Sequence, residues 1–245
     1  MTDILPKSLK FTVLVDDLVY AKNDALIPSH GLSIYIEIFS KGEKTRLLFD
    51  TGSSFRVLNI NARILKVNYA SLDYVFISIW RKCHVGGLLT GLKLGENTKV
   101  IVPPLYNKRS SEKLKERQYI LGSEFKHPFL KCVGPFGYRV KEQALAVRLE
   151  RGYVVFTGCL RRGIEELFLF LRNNSYSPVL AVVGGLNLSM LDVATLSYLE
   201  KAVADLDIER VYPLHSTAPR ARRVILKNLF NLDIECGVGF ASTIP

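Results

Sequence analysis

The segment S-I-W-R-K-C-H-V-G-G-L (Ser78–Leu88) gathers a thiol, an imidazole, two cations, paired glycines and the chain's only tryptophan into one short run. Cys83 and His84 are donors for a soft or borderline cation. Arg81 and Lys82 suit a phosphate, which arginine grips bidentately. Trp80 could stack on a flat ring or simply fill space at a strand end. Four other segments share the same layout, an apolar run that breaks into a polar junction. They are L-L-F-D-T-G (Leu47–Gly52), F-T-G-C-L-R-R-G-I (Phe156–Ile164), V-V-G-G-L-N-L (Val182–Leu188) and Y-P-L-H-S-T-A (Tyr212–Ala218). They put Asp50, Cys159, Arg161, Asn187 and His215 at strand ends, where open α/β sheets bind ligands.

The elements that must position these residues follow from periodicity. Phe11–Val15, Leu32–Ser40 and Thr45–Asp50 read as strands, the last two joined by the turn K-G-E-K, with alternation that fits a half-buried hairpin. Phe55–Leu65 has helical spacing, and strands follow at Tyr74–Ile79 and Lys99–Pro104, with the Cys83 segment a loop between them. Ser110–Leu121 reads as a charged amphipathic helix. The second half opens with strands Gln143–Leu149 and Tyr153–Thr157. It continues as helix Ile164–Arg172, strand Val179–Val183, helix Leu196–Leu206, strand Arg210–Leu214, helix Arg220–Phe230 and strand Ile234–Ala241. Each half starts with adjacent antiparallel strands and then alternates strands with helices. That pattern predicts two mixed sheets packed face to face with helices outside, as one domain over residues 1–245.

Composition narrows the partners. The 245 residues carry 33 Lys+Arg against 23 Asp+Glu, a net charge of +10, which favours anionic partners such as phosphorylated metabolites, nucleotides or nucleic acid. The basic residues are scattered, so plain solubility is an equal reading. No apolar stretch reaches the ~18 residues of a membrane span, and the first ten residues lack a signal-peptide core, so a cytoplasmic protein without membrane contact is expected. The four cysteines (Cys83, Cys132, Cys159, Cys236) are widely spaced and suit reduced thiols.

The five segments, preceded by T-V-L-V-D-D (Thr12–Asp17) and H-G-L-S (His30–Ser33), resemble in content and order the metallo-β-lactamase superfamily. The likeness is greatest to its branch of dihydropterin ribofuranosylaminobenzene-phosphate synthase-like proteins and metal-dependent hydrolases. It spans nearly the whole chain and implies an α/β (α+β) fold, a four-layer αβ/βα sandwich of two mixed β-sheets. In that family H-x-H-x-D-H and three later histidines surround one or two ions of zinc, iron or manganese. Here the first motif falls on Ile79, Arg81, Cys83 and His84, and the third-motif histidine on Arg161. The G-G-L-H histidine falls on Asn187, and the last survives as His215. Asp50 also survives, in a place where the family supports its ligands from behind.

Sorted by metal, the replacements imply a converted site. Ile79, Arg81 and Arg161 stand where the first ion is held; isoleucine has no donor and arginine stays protonated. Cys83, His84 and His215 stand where the second is held, and all three still ligate. One expectation is therefore a protein without cofactor and without the two-metal hydrolytic centre. Its cleft, formed by Asp50, Arg81, Lys82, Arg161 and Asn187, would bind a phosphorylated or other anionic ligand, a nucleotide or nucleic acid, with Arg220, Arg222 and Arg223 at its rim. The other is an enzyme with a single zinc on Cys83, His84 and His215, with the pterin-type substrate of the branch. A third is a partner subunit, either a homo-oligomer or a chain paired with an active paralogue. Against these stand bland readings. The arginines would form ion pairs with carboxylates, Asp50 included, Cys159 would be inherited packing, and His30 would only lie near the cleft.

Overall fold

A computed structural model of the chain describes residues 5–20, 24–104, 119–190 and 192–245. Twelve strands form two sheets among these residues. The first runs in the order β12-β1-β2-β3-β4-β5-β6, from β1 (Ser8–Val15), β2 (Ser33–Ser40), β3 (Glu43–Phe49), β4 (Tyr74–Phe76), β5 (Lys99–Val102), β6 (Tyr119–Leu121) and β12 (Ala241–Ile244). The second runs β11-β10-β9-β8-β7, from β7 (Leu130–Phe136), β8 (Glu142–Arg148), β9 (Tyr153–Thr157), β10 (Val179–Gly184) and β11 (Val211–Pro213). Both are mixed: β1, β2 and β3 pair antiparallel while β3, β4 and β5 are parallel, and β7–β8–β9 are antiparallel while β9, β10 and β11 are parallel.

Strand periodicity sorts the apolar residues into three layers. Ile34, Ile36 and Ile38 of β2, with Leu47 and Phe49 of β3, meet Leu145, Val147, Val154, Phe156 and Val183 of the second sheet in one central core. The alternate residues Tyr35, Leu48 and Val75 point outward onto α1 (Phe55–Ile64) and α2 (Lys82–Thr90). Ala144, Ala146, Val155 and Val182 point the other way, onto α3 (Ile164–Asn173), α4 (Val193–Asp205) and α5 (Pro219–Val224). The result is helix, sheet, sheet, helix. Every inward aliphatic side chain of this kind contributes about 1.5–3 kcal/mol by leaving water, which is what fixes the register.

Several expected elements differ in detail. The hairpin turn is tighter than K-G-E-K, because Ser40 and Glu43 already pair and only Lys41 and Gly42 turn. Most of Ser110–Leu121 lies outside the described residues, and Tyr119–Leu121 at its end is strand β6 rather than helix. The last strand is Ala241–Ile244, beside β1, rather than Ile234–Ala241. The final helix changes winding: α5 gives way to a π-helical turn over Ile225–Leu229. Among the described residues no helix is long and apolar enough to cross a membrane.

Parallel pairing brings strand ends together. Asp50 and Ser78 follow β3 and β4 in one sheet, while Gly158–Arg161, Gly185–Asn187 and His215 follow β9, β10 and β11 in the other. A bridge between Ile79 and Glu142 and a hydrogen bond from Gln143 N to Ser78 O (2.9 Å) join the two sheets at this edge.

Candidate metal centre

The segment Lys82–Thr90, expected as a loop, is helix α2. It carries two glycines and no side-chain cap, so propensity argues against it, and packing decides. A Cβ on Gly86 would lie 2.2 Å from Ser53 O and one on Gly87 2.2 Å from Thr51 O. Only glycine lets the helix press onto the Thr51–Ser53 turn. Thr51 then locks it, with its N and Oγ1 donating to His84 O (2.6 and 3.0 Å) and its Oγ1 accepting from Leu88 N (3.1 Å). His84 is thereby fixed in the first turn of a rigid helix.

Asp50, with φ of 55°, turns its carboxylate into the interior. It accepts hydrogen bonds from Ser78 N (2.8 Å) and Ser78 Oγ (2.6 Å), and its Oδ2 lies 2.7 Å from His84 Nδ1. Asp50, Ser78 and His84 are all fully buried. Burial alone would push the imidazole down, but the Asp50 carboxylate overrides it and holds His84 well above the ordinary 6.5. Nε2 of the same ring is buried and has no hydrogen-bond partner of good geometry among the described residues, though the thiols of Cys159 and Cys83 lie close enough to help keep the ring protonated.

His215 repeats the arrangement from the other sheet. Its Nδ1 lies 2.8 Å from Asp17 Oδ2, and the other oxygen of Asp17 lies 3.2 Å from His30 Nδ1. Against the effect of burial, Asp17 and Cys83 raise His215 to about 9. The His84 and His215 rings are 5.2 Å apart and the His30 and His215 rings 4.7 Å, both edge to face. Cys83 is half-buried; burial pushes its thiol up, but His215 and His84 override that and bring it to about 6. Cys159 is buried.

These residues form two overlapping groups. His84, Cys159 and His215 each offer one donor atom, all within 4.8 Å of one another, and so do His30, Cys83 and His215. The fit to a cation is chemical. Two imidazoles are oriented by carboxylates through Nδ1, which leaves Nε2 free, and two thiols lie beside them. Metal-ligating histidines are supported in this way, and an N,S donor set suits zinc.

The other expected site residues are placed as follows. Arg81 and Lys82 start α2 and are exposed, and Arg161 and Asn187 are exposed on the opposite sheet's loops. Asn187 Nδ2 lies 3.5 Å from Arg161 O. Arg81 and Arg161 have no carboxylate partner among the described residues, and Asp50 is fully engaged by Ser78 and His84. Among the described residues the ion-pair reading of these two arginines finds no carboxylate. Arg222 is also not at a rim. It is buried in a bidentate pair with Asp16 (2.6 and 3.2 Å) and donates to Thr217 O and Cys236 O. Trp80 packs on the outer core and donates to Pro103 O at 3.2 Å.

Two contributors are not legible as site residues in the sequence, and a third, Cys159, is legible by its place at a strand end but not as a donor. Asp17 was visible only as the second acid of V-D-D, with nothing to pair it with a residue 198 positions away. Glu142 accepts from the backbone N–H groups of Cys159, Leu160 and Arg161 (2.6, 2.7 and 3.0 Å), shaping the turn that presents Cys159. Cys159 sits at the expected strand end, and the structure brings its thiol within 4.8 Å of donor atoms of His84 and His215.

This two-sheet sandwich with its donors at the strand ends is the metallo-β-lactamase fold, and the solved structures most like it are hydrolases and other proteins of that fold. In particular, Tm1679, a metal-dependent hydrolase of the β-lactamase superfamily, superposes with a TM-score of 0.68 at 26% identity, over 96% of this chain and 98% of its own. YhfI of Bacillus subtilis gives 0.64 at 16% identity, over 96% and 99%. In sequence, the chain is 24% identical to the 7,8-dihydropterin-6-methyl-4-(β-D-ribofuranosyl)-aminobenzene-5'-phosphate synthase of Methanocaldococcus jannaschii, over 93% of this chain and 94% of that protein. No family model matches the chain.

Proposed function

We propose that this chain is a metallo-β-lactamase-fold protein that has given up two-metal hydrolysis, keeps one cation position, and uses the exposed guanidiniums beside it to bind a phosphate-bearing ligand. The observation that carries the reading is His84 Nε2, a buried nitrogen without a well-placed hydrogen-bond partner among the described residues, on a ring whose other nitrogen is fixed by Asp50. Leaving such a group unpaired costs about 1–3 kcal/mol, and a cation that displaces the Nε2 proton removes that cost. His84 and His215 would hold the ion with a cysteine thiolate. When bound, zinc supplies a Lewis acid able to polarise a phosphoryl or carbonyl oxygen.

The chain's own residues do the rest. Asp50 and Asp17 keep each imidazole's Nδ1 occupied and its Nε2 directed at the ion. Ile79 is buried and has no donor, and by the family resemblance Arg81 and Arg161 carry positive charge where a second ion would need ligands. Two guanidiniums with no carboxylate partner among the described residues suit a phosphate. The relative from M. jannaschii is named for a ribofuranosyl 5'-phosphate product, which supports a ligand of that class.

The test is elemental analysis of protein purified without chelator. One zinc per chain is expected in the wild type and none in His84→Ala or His215→Ala. Metal-free wild type would overturn the cation reading. Binding of a phosphomonoester should weaken in Arg81→Ala and in Arg161→Ala; unchanged affinity in both would remove the anion-binding part.

A further inference from the structure

A cation held by His84, Cys159 and His215 would lie among residues that are all buried. A metal site needs a way in. The second group of donors lies on that way. Its members grade outward from His215, with 2% of its side chain exposed, through half-buried Cys83 to His30, with 80% exposed. His215 belongs to both groups. Asp17 ties the outer two rings together, one carboxylate oxygen on each Nδ1, so the Nε2 atoms of both remain available. The loop that carries His30 is pinned beside Cys83. Leu32 N donates to Cys83 O at 3.0 Å, and a Cβ on Gly31 would lie only 2.5 Å from that same oxygen.

Resting on the cation reading, we infer that His30, Cys83 and His215 form a loading site, and that His84, Cys159 and His215 form the resting site. A soft or borderline divalent ion enters on His30 and Cys83. It then exchanges these ligands for His84 and Cys159 while His215 holds it throughout. The exchange is neutral in electrons: two ligand bonds break and two form, Cys159 gives up its thiol proton and His84 its Nε2 proton to solvent as they take the ion, and Cys83 leaves as a thiolate and His30 as a neutral imidazole. Neither group contains a carboxylate ligand, which selects zinc-like ions over magnesium or calcium.

Cobalt(II) uptake by metal-free protein tests this, read by stopped-flow absorbance in the thiolate-to-cobalt charge-transfer band. Wild type should show a fast phase followed by a slower spectral change. His30→Ala and Cys83→Ser should lose the fast phase. Cys159→Ser should keep it but lose the slow change, and should bind at least about tenfold more weakly, the low end of what even an outer partner contributes. Uptake kinetics in His30→Ala identical to wild type would overturn the loading role, and a slow change retained in Cys159→Ser would overturn the resting assignment. A wild type that takes up no cobalt would overturn the cation reading itself, and the exchange with it.

Discussion

Removing the Arg222 guanidinium while keeping its stem, as in Arg222→Met, should cost roughly 4 kcal/mol of folding stability at neutral pH. Arg222 and Asp16 are almost wholly inaccessible, at 3% and 0% exposure. The guanidinium makes two hydrogen bonds to the Asp16 carboxylate and one each to the carbonyls of Thr217 and Cys236. Its loss strands a buried carboxylate, which by itself costs about 3–5 kcal/mol, and the two carbonyls lose bonds of ~1 kcal/mol each. Part of this is recovered because Asp16 can take up a proton. Burial already raises its carboxyl above the ordinary 3.8 even with Arg222 beside it. A domain has only about 5–15 kcal/mol in hand, so the variant should still fold but unfold at much lower urea. The decisive comparison is with Asp16→Asn and with the double variant, by urea titration followed by far-ultraviolet circular dichroism in chelator. The double variant should lose less than the sum of the singles, since no buried charge is left alone. Additive losses, or less than about 1 kcal/mol for Arg222→Met, would refute the argument that this pair is a buried clamp.

Three other outcomes follow from the same geometry. Asp50→Asn keeps the shape but removes the charge that orients His84, so zinc affinity in chelator competition should fall by about 10–100-fold. Gly87→Ala should destabilise by about 1–3 kcal/mol in thermal melts, because the new methyl meets a backbone oxygen at 2.2 Å. Burial, with Lys131 and Lys99 nearby, pushes His127 down from 6.5 to about 4, and its Nδ1 accepts from Phe129 N and Leu130 N at 3.4 and 3.3 Å. The folded state therefore favours the neutral ring. Its contribution is complete above pH 6.5 and is lost as pH falls towards 4, by about 1–2 kcal/mol once screening of a half-exposed ring is allowed for. His127→Gln should flatten that part of the acid denaturation curve.

What could be read from sequence was what depends on local pattern. The alternation in S-I-Y-I-E-I and the apolar run V-L-A-V-V declared their strands, and the order of the five junctions declared the fold. β7 escaped because its L-K-C-V-G-P-F mixes a lysine, a glycine and a proline into what is a bulged edge strand. Helix α2 escaped because its glycines serve contacts with a turn thirty-odd residues earlier, which no window of sequence displays. The site was legible as a set of residue types and not as a geometry. That Arg222 faces Asp16 rather than a cleft, and that one aspartate holds two histidines, depends on packing between strands from opposite ends of the chain.

That last dependence has a consequence for synthesis. His215 needs Asp17, and Asp16 needs Arg222, so the donors cannot be assembled until the segment carrying His215 and Arg222 has left the ribosome. The first sheet's β1 must likewise wait for β12 at its edge. A nascent or prematurely ended chain would carry Cys83 and His84 but hold them without His215. On the proposed cation reading, a polypeptide that stops short of His215 should capture no ion, which makes uptake a reporter of long-range assembly.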